Sequence, residues 1–189
     1  MKDFERVTTF DHLVVAARAL EEGAAWVEAR LGAATVAGGK HALMGTHNRL
    51  LSLGPARFLE VIAVDPDARA PPRPRWFGLD SPAMCERLAR GPALIHWVVR
   101  TGDLEAALRD YPQEVDVLSL ARGEYRWRIG IPQDGRLPCG GACPTLIQWE
   151  GAAHPAAALP DSGCTLLHLE TGVRLRATFA TPQGVCALP

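Results

Sequence analysis

The residues best suited to chemistry are two histidines and two polar partners that recur at matching places along the chain. His12 and His96 each lie near the start of an apolar segment. Glu60 and Gln148 each interrupt a later apolar segment, at a nearly equal distance from the histidine before it. Two imidazoles, a carboxylate and an amide oxygen can together hold a divalent ion. We therefore expect a site for Zn, Ni, Fe(II), Mn or Co at these four residues.

A metal in such a site keeps coordination positions open for water or substrate. The ion then polarises a carbonyl or stabilises an enediolate, and a displaced carboxylate acts as a base. We therefore expect Glu60 and Gln148 to take part in catalysis as well as in metal binding. Glu150 shares its strand parity with Gln148 and is an alternative ligand, although a surface charge at the strand end is the simpler interpretation.

Three further residues are candidates for the wall of a pocket. His47 and Asn48 lie at the entrance of a predicted strand, and Trp76 follows a proline-rich segment. We expect all three to line the pocket. Each also has a simpler interpretation, as a surface polar residue, a turn residue and a core aromatic respectively. His41, on the preceding loop, has the same two interpretations as His47.

The elements that must position these residues also occur twice. Residues 10–20 have the sequence FDHLVVAARAL and residues 94–104 have LIHWVVRTGDL, so that His12 aligns with His96 without a gap. β-Branched apolar runs predict strands, and apolar residues at helical spacing predict helices. The predicted helices are 19–31, 82–90 and 103–111. The predicted strands are 9–16, 33–37, 46–53, 56–64, 94–100, 115–121, 124–131, 144–150 and 163–170, with a loop at 38–45 and a final hairpin turned at 181–184.

This repetition predicts an α+β fold built from duplicated βαβββ units that form curved mixed sheets around a cleft. The first unit comprises residues 1–64 and the second residues 93–150. A proline-rich connector with a short helix, 65–92, joins them, and a truncated third unit of strands occupies 151–189. All four segments are expected to form one domain.

Strand parity predicts which side chains face the cleft, because alternate residues of a strand point to opposite faces of the sheet. His12 opposes Leu13, and Glu60 opposes Leu59 and Val61. The fully apolar faces are expected to pack under the helices. The faces that bear the four polar residues of the two units, Gln148 included, are therefore expected to line a concave cup.

The composition argues against several classes of function. The 189 residues are 48% hydrophobic and 22% charged, as in folded globular proteins. A net charge of −1 gives no electrostatic case for nucleic acid or an anionic membrane, and no apolar run is long enough to span a bilayer. The N-terminus lacks the features of a signal peptide. We expect a cytoplasmic protein that binds a small molecule.

The cysteines fit the same expectation. They number five and are scattered, so a disulfide framework is not expected. Cys139 and Cys143 lie close together, with His154 nearby, but their spacing is wider than in zinc knuckles and a second pair is missing. A glycine-rich loop is the preferred interpretation of this segment.

The chain resembles a known superfamily in these same segments. FDHLVV, FLEVIAV, IHWVV and LIQWEG resemble the first-strand histidine and last-strand glutamate motifs of the vicinal oxygen chelate superfamily, which includes glyoxalase I, bleomycin-resistance proteins and extradiol dioxygenases. GGKHALMGTHNRLLSLG and WFGLD resemble its bacterial glyoxalase-like branch. The resemblance covers about residues 9–150 and assigns the four ligand positions to His12, Glu60, His96 and Gln148. Gln148 departs from the commoner second glutamate, which removes a strong base.

The resemblance implies a divalent-metal-dependent lyase, isomerase or dioxygenase that acts on a small oxygenated substrate. The alternative is a metal-free binding protein of the bleomycin-resistance type, which holds its ligand in the same cup. The four polar positions favour the enzyme. A homodimer is also expected, because it would cover the strand edges that a truncated third unit leaves open.

Overall fold

The computed structural model describes residues 8–172 and 174–189. Eight strands form one curved sheet in which the second, third, fourth and first strands are followed by the fifth, eighth, seventh and sixth. These strands are β1 Thr8–Ala16, β2 Val36–His41, β3 Thr46–Ser52, β4 Phe58–Val64, β5 Ala93–Thr101, β6 Asp116–Arg122, β7 Tyr125–Ile131 and β8 Thr145–Trp149. The helices are α1 Leu20–Leu31, α2 Pro82–Ala89, α3 Leu104–Arg109 and α4 Pro155–Ala158.

The sheet confirms the predicted duplicated α+β fold. β1 pairs in parallel with β4, and β5 pairs in parallel with β8. The two units meet where β1 and β5 pair antiparallel in the middle of the sheet. Each unit thus contributes four strands to one curved surface, with a helix between its first and second strands.

The first helix forms and ends for reasons that are visible in the sequence. Its buried side chains recur at helical spacing, and Val27 and Leu31 are fully buried against the outer face of the sheet. Gly32 ends the helix in the left-handed conformation at φ 66°. Gly23 allows close packing on β4, since a Cβ there would lie 2.5 Å from Val61 Cγ1.

The two faces of the sheet carry two separate cores. The outer core contains Leu13, Leu59 and Val61 under α1. The inner core contains Val14, Ile62 and Trp127 and fills the concave side. Strand parity therefore places side chains as predicted in the first unit.

The C-terminal strands form a sheet of their own. β9 (Thr165–Glu170), β10 (Arg176–Thr181) and β11 (Gly184–Leu188) pair antiparallel, with β10 in the centre. Phe179 and Leu188 are fully buried and belong to the outer core beside α1. This sheet therefore covers the outer side of the first unit and does not extend the cup.

Two predicted boundaries in the repeated units differ from the structure. A loop is predicted for 38–45, but β2 occupies 36–41. The strand continues because a β-bulge shifts its register against β3 between Ala37 and Gly39. α3 is shorter than the predicted 103–111. It begins after its Asp103 cap and ends at Arg109, ahead of Pro112.

The connector is pinned to the second unit and positions an aromatic pair. α2 starts where predicted, with the Ser81 hydroxyl accepting from the N–H of Met84. Before it, Phe77 adopts a left-handed conformation at φ 57° in a short 3₁₀ turn. The N–H of Gly78 donates to the carbonyl of Gly135 in the loop after β7. This turn sets Trp76 and Phe77 over one side of the cup.

Two remaining observations concern the cysteines and the helices. Cys139 and Cys143 form a disulfide, where a loop without a disulfide is predicted. Their Cα atoms are 5.5 Å apart, within the range that a disulfide needs. In the described part of the chain, none of the helices has the length and apolar character needed to cross a membrane.

Candidate active site

His12 projects into the cup with its ring fixed by its own neighbour in sequence. The register of β1 against β5 shifts between Phe10 and His12, so Asp11 is the extra residue of a β-bulge. The bulge brings the Asp11 carboxylate beside the His12 ring, where Nδ1 donates to Oδ1 at 2.6 Å. Phe58 stacks on the other side of the ring at 4.4 Å between centroids. Nε2 of His12 is thereby left facing the cup.

Asp11 is a buried carboxylate that four donor groups surround. Besides His12, Trp149 Nε1 donates to its Oδ2 at 3.0 Å and His154 Nε2 at 3.1 Å, while the Arg100 guanidinium lies at 3.5 Å. Burial raises the pKa of Asp11, but the hydrogen bonds from His12 and His154 outweigh it and hold the pKa well below its usual range. Asp11 therefore stays ionised and orients His12.

Glu60 faces His12 across a short gap. Its Oε2 lies 3.8 Å from His12 Nε2, which is too long for a hydrogen bond. Its Oε1 accepts from Asn48 Nδ2 at 2.6 Å. Asn48 is oriented in turn because the N–H of Gly39, at the bulge of β2, donates to its Oδ1 at 2.8 Å. The carboxylate is thus held by one oxygen and presents the other to the cup.

His41 closes the other side of Glu60, at 4.0 Å from Nε2 to Oε1. Its Nδ1 pairs with the Thr46 hydroxyl at 3.0 Å, and its Nε2 accepts from the Arg122 guanidinium at 3.1 Å. Burial lowers the pKa of His41 to about 3, and the positive charge of Arg122 adds to the effect. His41 is therefore neutral near pH 7.

Arg122 reaches the cup from the opposite edge of the sheet. β6 and β2 lie at the two ends of the strand order, and the curl of the sheet brings them together. Gly39 makes room for the crossing side chain, since a Cβ there would lie 2.6 Å from Arg122 Cδ. The guanidinium donates to Asn48 Oδ1 at 3.2 Å as well as to His41.

The rest of the wall is mainly apolar and aromatic. The cup and the open solvent at its mouth together contain about 440 Å³ of space between atoms. Its apolar lining consists of Leu50, Phe58, Trp76, Phe77, Trp127, Ile129, Ile147, Trp149 and Pro155. The polar groups are therefore concentrated in one chain of contacts that runs from Asp11 through His12, Glu60 and His41 to Arg122.

The structure places His96 differently from the prediction. Its ring is completely buried, beside Phe77 and Trp97. Nε2 is engaged by Thr145, whose N–H lies at 3.1 Å and whose hydroxyl lies at 3.0 Å. Burial lowers the pKa of His96 to about 3, and the neighbouring His12 adds to the effect. His96 is thus a neutral core residue whose Nε2 is already bonded.

Gln148 lies on the wrong face for the predicted site. Its Oε1 accepts from the N–H of Leu104 at the start of α3, and its Nε2 donates to the carbonyl of Gly102. The strand register gives the reason. In the first unit, Val14 lies two residues after His12 and pairs with Glu60. In the second unit, Val98 lies two residues after His96 and pairs with Thr145. Thr145 therefore occupies the position equivalent to Glu60, and Gln148 is three residues further on.

The predicted pocket residues separate in the same way. Asn48 and Trp76 line the cup. His47 does not, because it alternates with Asn48 along β3 and pairs with Ala63, a residue of the outer core. His41, which the sequence leaves undecided between a pocket and a surface position, lines the cup together with His12.

These placements do not fit the four-ligand metal site. His96 and Gln148 are committed to other partners, so only His12 and Glu60 of the predicted set face the cavity. In the part of the chain that the structure describes, three or more His, Cys, Asp or Glu side chains nowhere converge as metal ligands do. His41 does not complete the set, because its Nε2 accepts from a cationic guanidinium that would repel a metal ion.

Several residues of the site are missing from the sequence-based prediction. Asp11 and Arg122 stand out only once the bulge and the curl of the sheet bring them to the cup. Trp149 also faces the cavity, because it shares the strand parity of Ile147. The adjacent pair Asp11–His12 is the one signal in the sequence that could have indicated an oriented imidazole.

Comparison with solved structures finds several similar proteins. Among solved structures, a hypothetical protein from Staphylococcus aureus is 13% identical, with 93% of this chain and 82% of that chain covered and a TM-score of 0.51. Methylmalonyl-CoA epimerase from Mycobacterium tuberculosis is 24% identical, with coverages of 79% and 91% and a TM-score of 0.47. The Streptomyces coelicolor epimerase in complex with 2-nitronate-propionyl-CoA is 21% identical, with coverages of 75% and 94% and a TM-score of 0.46.

The family is assigned by sequence. A search of curated proteins finds no match. A sequence profile described as a glyoxalase-like domain matches residues 10–182, which is nearly the whole chain and includes both repeated units and most of the C-terminal sheet. This protein therefore belongs to the glyoxalase-like domain family.

Proposed function

We propose that the cup is the active site of an isomerase that moves protons on a small oxygenated substrate, and that His12 and Glu60 carry them without a metal ion. One observation carries the proposal. The Asp11-oriented imidazole and the Asn48-held carboxylate face each other at 3.8 Å, and no hydrogen bond among the described residues joins them. Both residues are mostly buried, and both line the cavity, where a ligand can contact them.

His12 has the arrangement of a general base backed by a carboxylate. Because Nδ1–H is bonded to Asp11, the lone pair of Nε2 points into the cavity. When Nε2 takes up a proton, the ionised Asp11 stabilises the resulting imidazolium, as a buried carboxylate does in hydrolase triads. His12 can therefore exchange a proton with a substrate oxygen.

Glu60 is placed to exchange a proton with a substrate carbon. In an α-hydroxy carbonyl compound, the carboxylate removes the hydrogen from the hydroxyl-bearing carbon and returns it to the former carbonyl carbon. His12 takes the hydroxyl proton and delivers it to the former carbonyl oxygen. A carbonyl is lost at one carbon and gained at its neighbour, so atoms and electrons balance without a co-reactant.

The short distance between the two groups favours this kind of reaction over inversion of a single carbon. Inversion needs an acid and a base on opposite faces of the reacting carbon. His12 and Glu60 are too close together to flank a carbon, and they approach a ligand from the same side. Proton transfer between neighbouring atoms on one face fits that geometry.

A binding protein of the resistance type is the second candidate, and the aromatic wall is the observation that favours it. Trp76, Trp127 and Trp149 could hold a flat ligand without any chemistry. The two candidates differ in what Glu60 does. An enzyme needs its carboxylate for turnover, whereas a binding protein needs only the shape and the hydrogen bond.

Hydrogen exchange in D₂O tests the proposal. Hydroxypyruvate and dihydroxyacetone share the reacting hydroxy-ketone group, and loss of the C–H signal in proton NMR reports proton abstraction. We expect the wild-type protein to accelerate exchange and Glu60→Gln to lower the rate by about 100-fold or more. Glu150→Gln, an exposed neighbour of the same chemistry, is the matched control and should leave the rate unchanged.

Two results would contradict the proposal. If neither compound exchanges faster with wild-type protein than with Glu60→Gln, the cup does not carry out this proton transfer. If exchange disappears after dialysis against a chelator and returns with Zn²⁺ or Ni²⁺, the reaction requires a metal and the metal-independent assignment is wrong.

A further inference from the structure

We propose that the cup recognises a carboxylate, and that its substrate is a short 2-oxo or 2-hydroxy acid whose acid group lies between Arg122 and Trp76. This inference rests on the proposed function for the reacting end of the molecule. It adds the anionic end, which His12 and Glu60 do not define.

Arg122 is a cation in the wall of the cup without an anionic partner among the described residues. Within that part of the chain, its guanidinium donates only to neutral acceptors, Nε2 of His41 and Oδ1 of Asn48. No carboxylate of the described residues lies within ion-pair distance of it, and Glu60, which also lines the cup, is bonded to Asn48 instead. A guanidinium has five N–H donors, so most of them remain available for a ligand.

The partial burial of the Arg122 guanidinium indicates that its ligand is an anion. Removal from water lowers the pKa of Arg122, and the negative charge of Glu60 opposes the effect only in part. Partly burying a cation without a counter-ion costs free energy, which a bound carboxylate would offset. The planar fork of a guanidinium also matches the two oxygens of a carboxylate.

Trp76 provides a second donor in the same wall. Its side chain is 3% exposed, and its Nε1–H has no hydrogen-bond partner among the described residues. The ring packs edge-on against His41, which is the residue that Arg122 contacts. Since a buried donor is normally satisfied, an acceptor oxygen on the ligand is the expected partner.

The acid must be short because one amide group separates the two ends of the site. Asn48 donates to Glu60 through Nδ2 and accepts from Arg122 through Oδ1. A carboxylate bound at Arg122 therefore lies within a few bonds of a carbon that Glu60 can deprotonate. This spacing favours an acid group on the carbon next to the reacting hydroxy-ketone, as in hydroxypyruvate.

The charges in the cup give the inference a distinctive signature. Glu60 and the bound acid carry the same charge, so Glu60 weakens binding while it serves catalysis. Removing that charge should therefore tighten the binding of the acid and leave an uncharged ligand nearly unaffected. A site that recognised shape alone would not behave in this way.

Isothermal titration with a matched pair of ligands tests the inference. Dihydroxyacetone differs from hydroxypyruvate by a hydroxymethyl group in place of the carboxylate. We expect hydroxypyruvate to bind more tightly to the wild-type protein. Arg122→Met should weaken its binding by about 30-fold and Trp76→Phe by about 5-fold, with dihydroxyacetone little changed. Glu60→Gln should tighten the binding of hydroxypyruvate.

Arg126→Met is the control for Arg122→Met, because Arg126 lies on the same β6–β7 hairpin but is exposed and bonds to the hairpin backbone. Arg122→Lys keeps the charge and should retain part of the preference for the acid if Arg122→Met fails to fold. Equal binding of the two ligands, or no effect of either Arg122 variant, would overturn the inference.

The outcomes separate this inference from the proposed function. If dihydroxyacetone exchanges as fast and binds as well as hydroxypyruvate, the carboxylate site is wrong and the proton transfer stands. If hydroxypyruvate binds through Arg122 but neither ligand exchanges, the carboxylate site stands and the protein is a binding protein.

Discussion

The two repeated units place a histidine at the same position and use it in opposite ways. In the first unit, His12 faces Glu60 across an open gap and borders the cavity. In the second, His96 faces Thr145 and closes on it with direct hydrogen bonds. Threonine can satisfy an imidazole locally, whereas a carboxylate held by Asn48 at its other oxygen leaves the imidazole open.

The surroundings of the two histidines reinforce the difference. An ionised Asp11 accepts from Nδ1 of His12 and fixes the orientation of the ring. His96 has aromatic rings beside it, and Nδ1 of its ring has no hydrogen-bond partner in the described structure. Burial therefore keeps His96 neutral. Equivalent positions in a duplicated fold therefore do not imply equivalent chemistry. The residue on the neighbouring parallel strand, Glu60 on β4 or Thr145 on β8, determines what each histidine can do.

Exchanging each histidine for glutamine should separate these roles and gives the largest expected effect. His12→Gln should lower hydrogen exchange by about 100- to 10,000-fold, since it removes a proton-transfer group, and should lower the free energy of unfolding by about 1–3 kcal/mol, since buried Asp11 loses a hydrogen bond. His96→Gln should lower the free energy of unfolding by about 2–4 kcal/mol, because it disturbs a fully buried hydrogen-bonded group.

NMR exchange rates and urea unfolding of both variants check this contrast. Exchange per folded molecule should remain within a few-fold of wild type in His96→Gln. If His96→Gln removes exchange as completely as His12→Gln and stays fully folded, both units contribute to the chemistry and the contrast between them is wrong.

Acid should destabilise the protein through its buried histidines. Burial lowers the pKa of His96 and of His41 from 6.5 to about 3. The unfolded chain therefore binds more protons between these values, and stability falls as the pH drops from about 6.5 towards 3. At pH 5 each group should cost about 2 kcal/mol relative to pH 7.5. Asp11 adds to the loss only below its unfolded pKa near 3.8.

Urea unfolding at pH 7.5 and pH 5 measures this loss. In His96→Gln the difference between the two pH values should be about half that of wild type, because one of the two groups is gone. His168→Gln, which replaces an exposed histidine, serves as the control and should behave as wild type. Equal stability at the two pH values would show that His96 is not held neutral.

Much of the fold could be predicted because its signals are local. The helix at 19–31 and the capped helix at Ser81–Pro82 depend on spacing and capping within one turn, and both occur within a residue of the prediction. The duplication was visible because the first strands of both units keep the same pattern. Parity along β1 and β4 then placed His12 and Glu60 on the concave face.

The rest of the site depends on pairing between distant strands, which a single sequence does not specify. Gln148 was selected because it is a polar residue within an apolar strand. It lies three residues after Thr145, and an odd offset places its side chain on the opposite face of the sheet. Asp11 depends on a bulge, and Arg122 on the closure of β6 against β2. Both are consequences of how the sheet twists and curls, and neither leaves a periodic pattern.

The smallest expected effect concerns Gln148 and tests the register of the second unit directly. Its side chain accepts from the first N–H of α3, a group that has no partner within the helix. Gln148→Ala should therefore lower the free energy of unfolding by about 1 kcal/mol, as the loss of a helix cap does, and leave hydrogen exchange unchanged. Glu150→Ala, at an exposed position on the same strand end, should change the stability by less than about 0.5 kcal/mol.

Gln148→Glu distinguishes the observed register from the one expected of a metal site. If Gln148 faced the cup, a glutamate would complete a set of ligands, and added Zn²⁺ or Ni²⁺ would raise the melting temperature. Because the side chain at position 148 faces α3, added Zn²⁺ or Ni²⁺ should change the melting temperature of Gln148→Glu no more than that of the wild-type protein. A rise that is specific to this variant, and absent from Glu150→Gln, would show that β8 pairs in the other register and that the second unit does contribute a ligand.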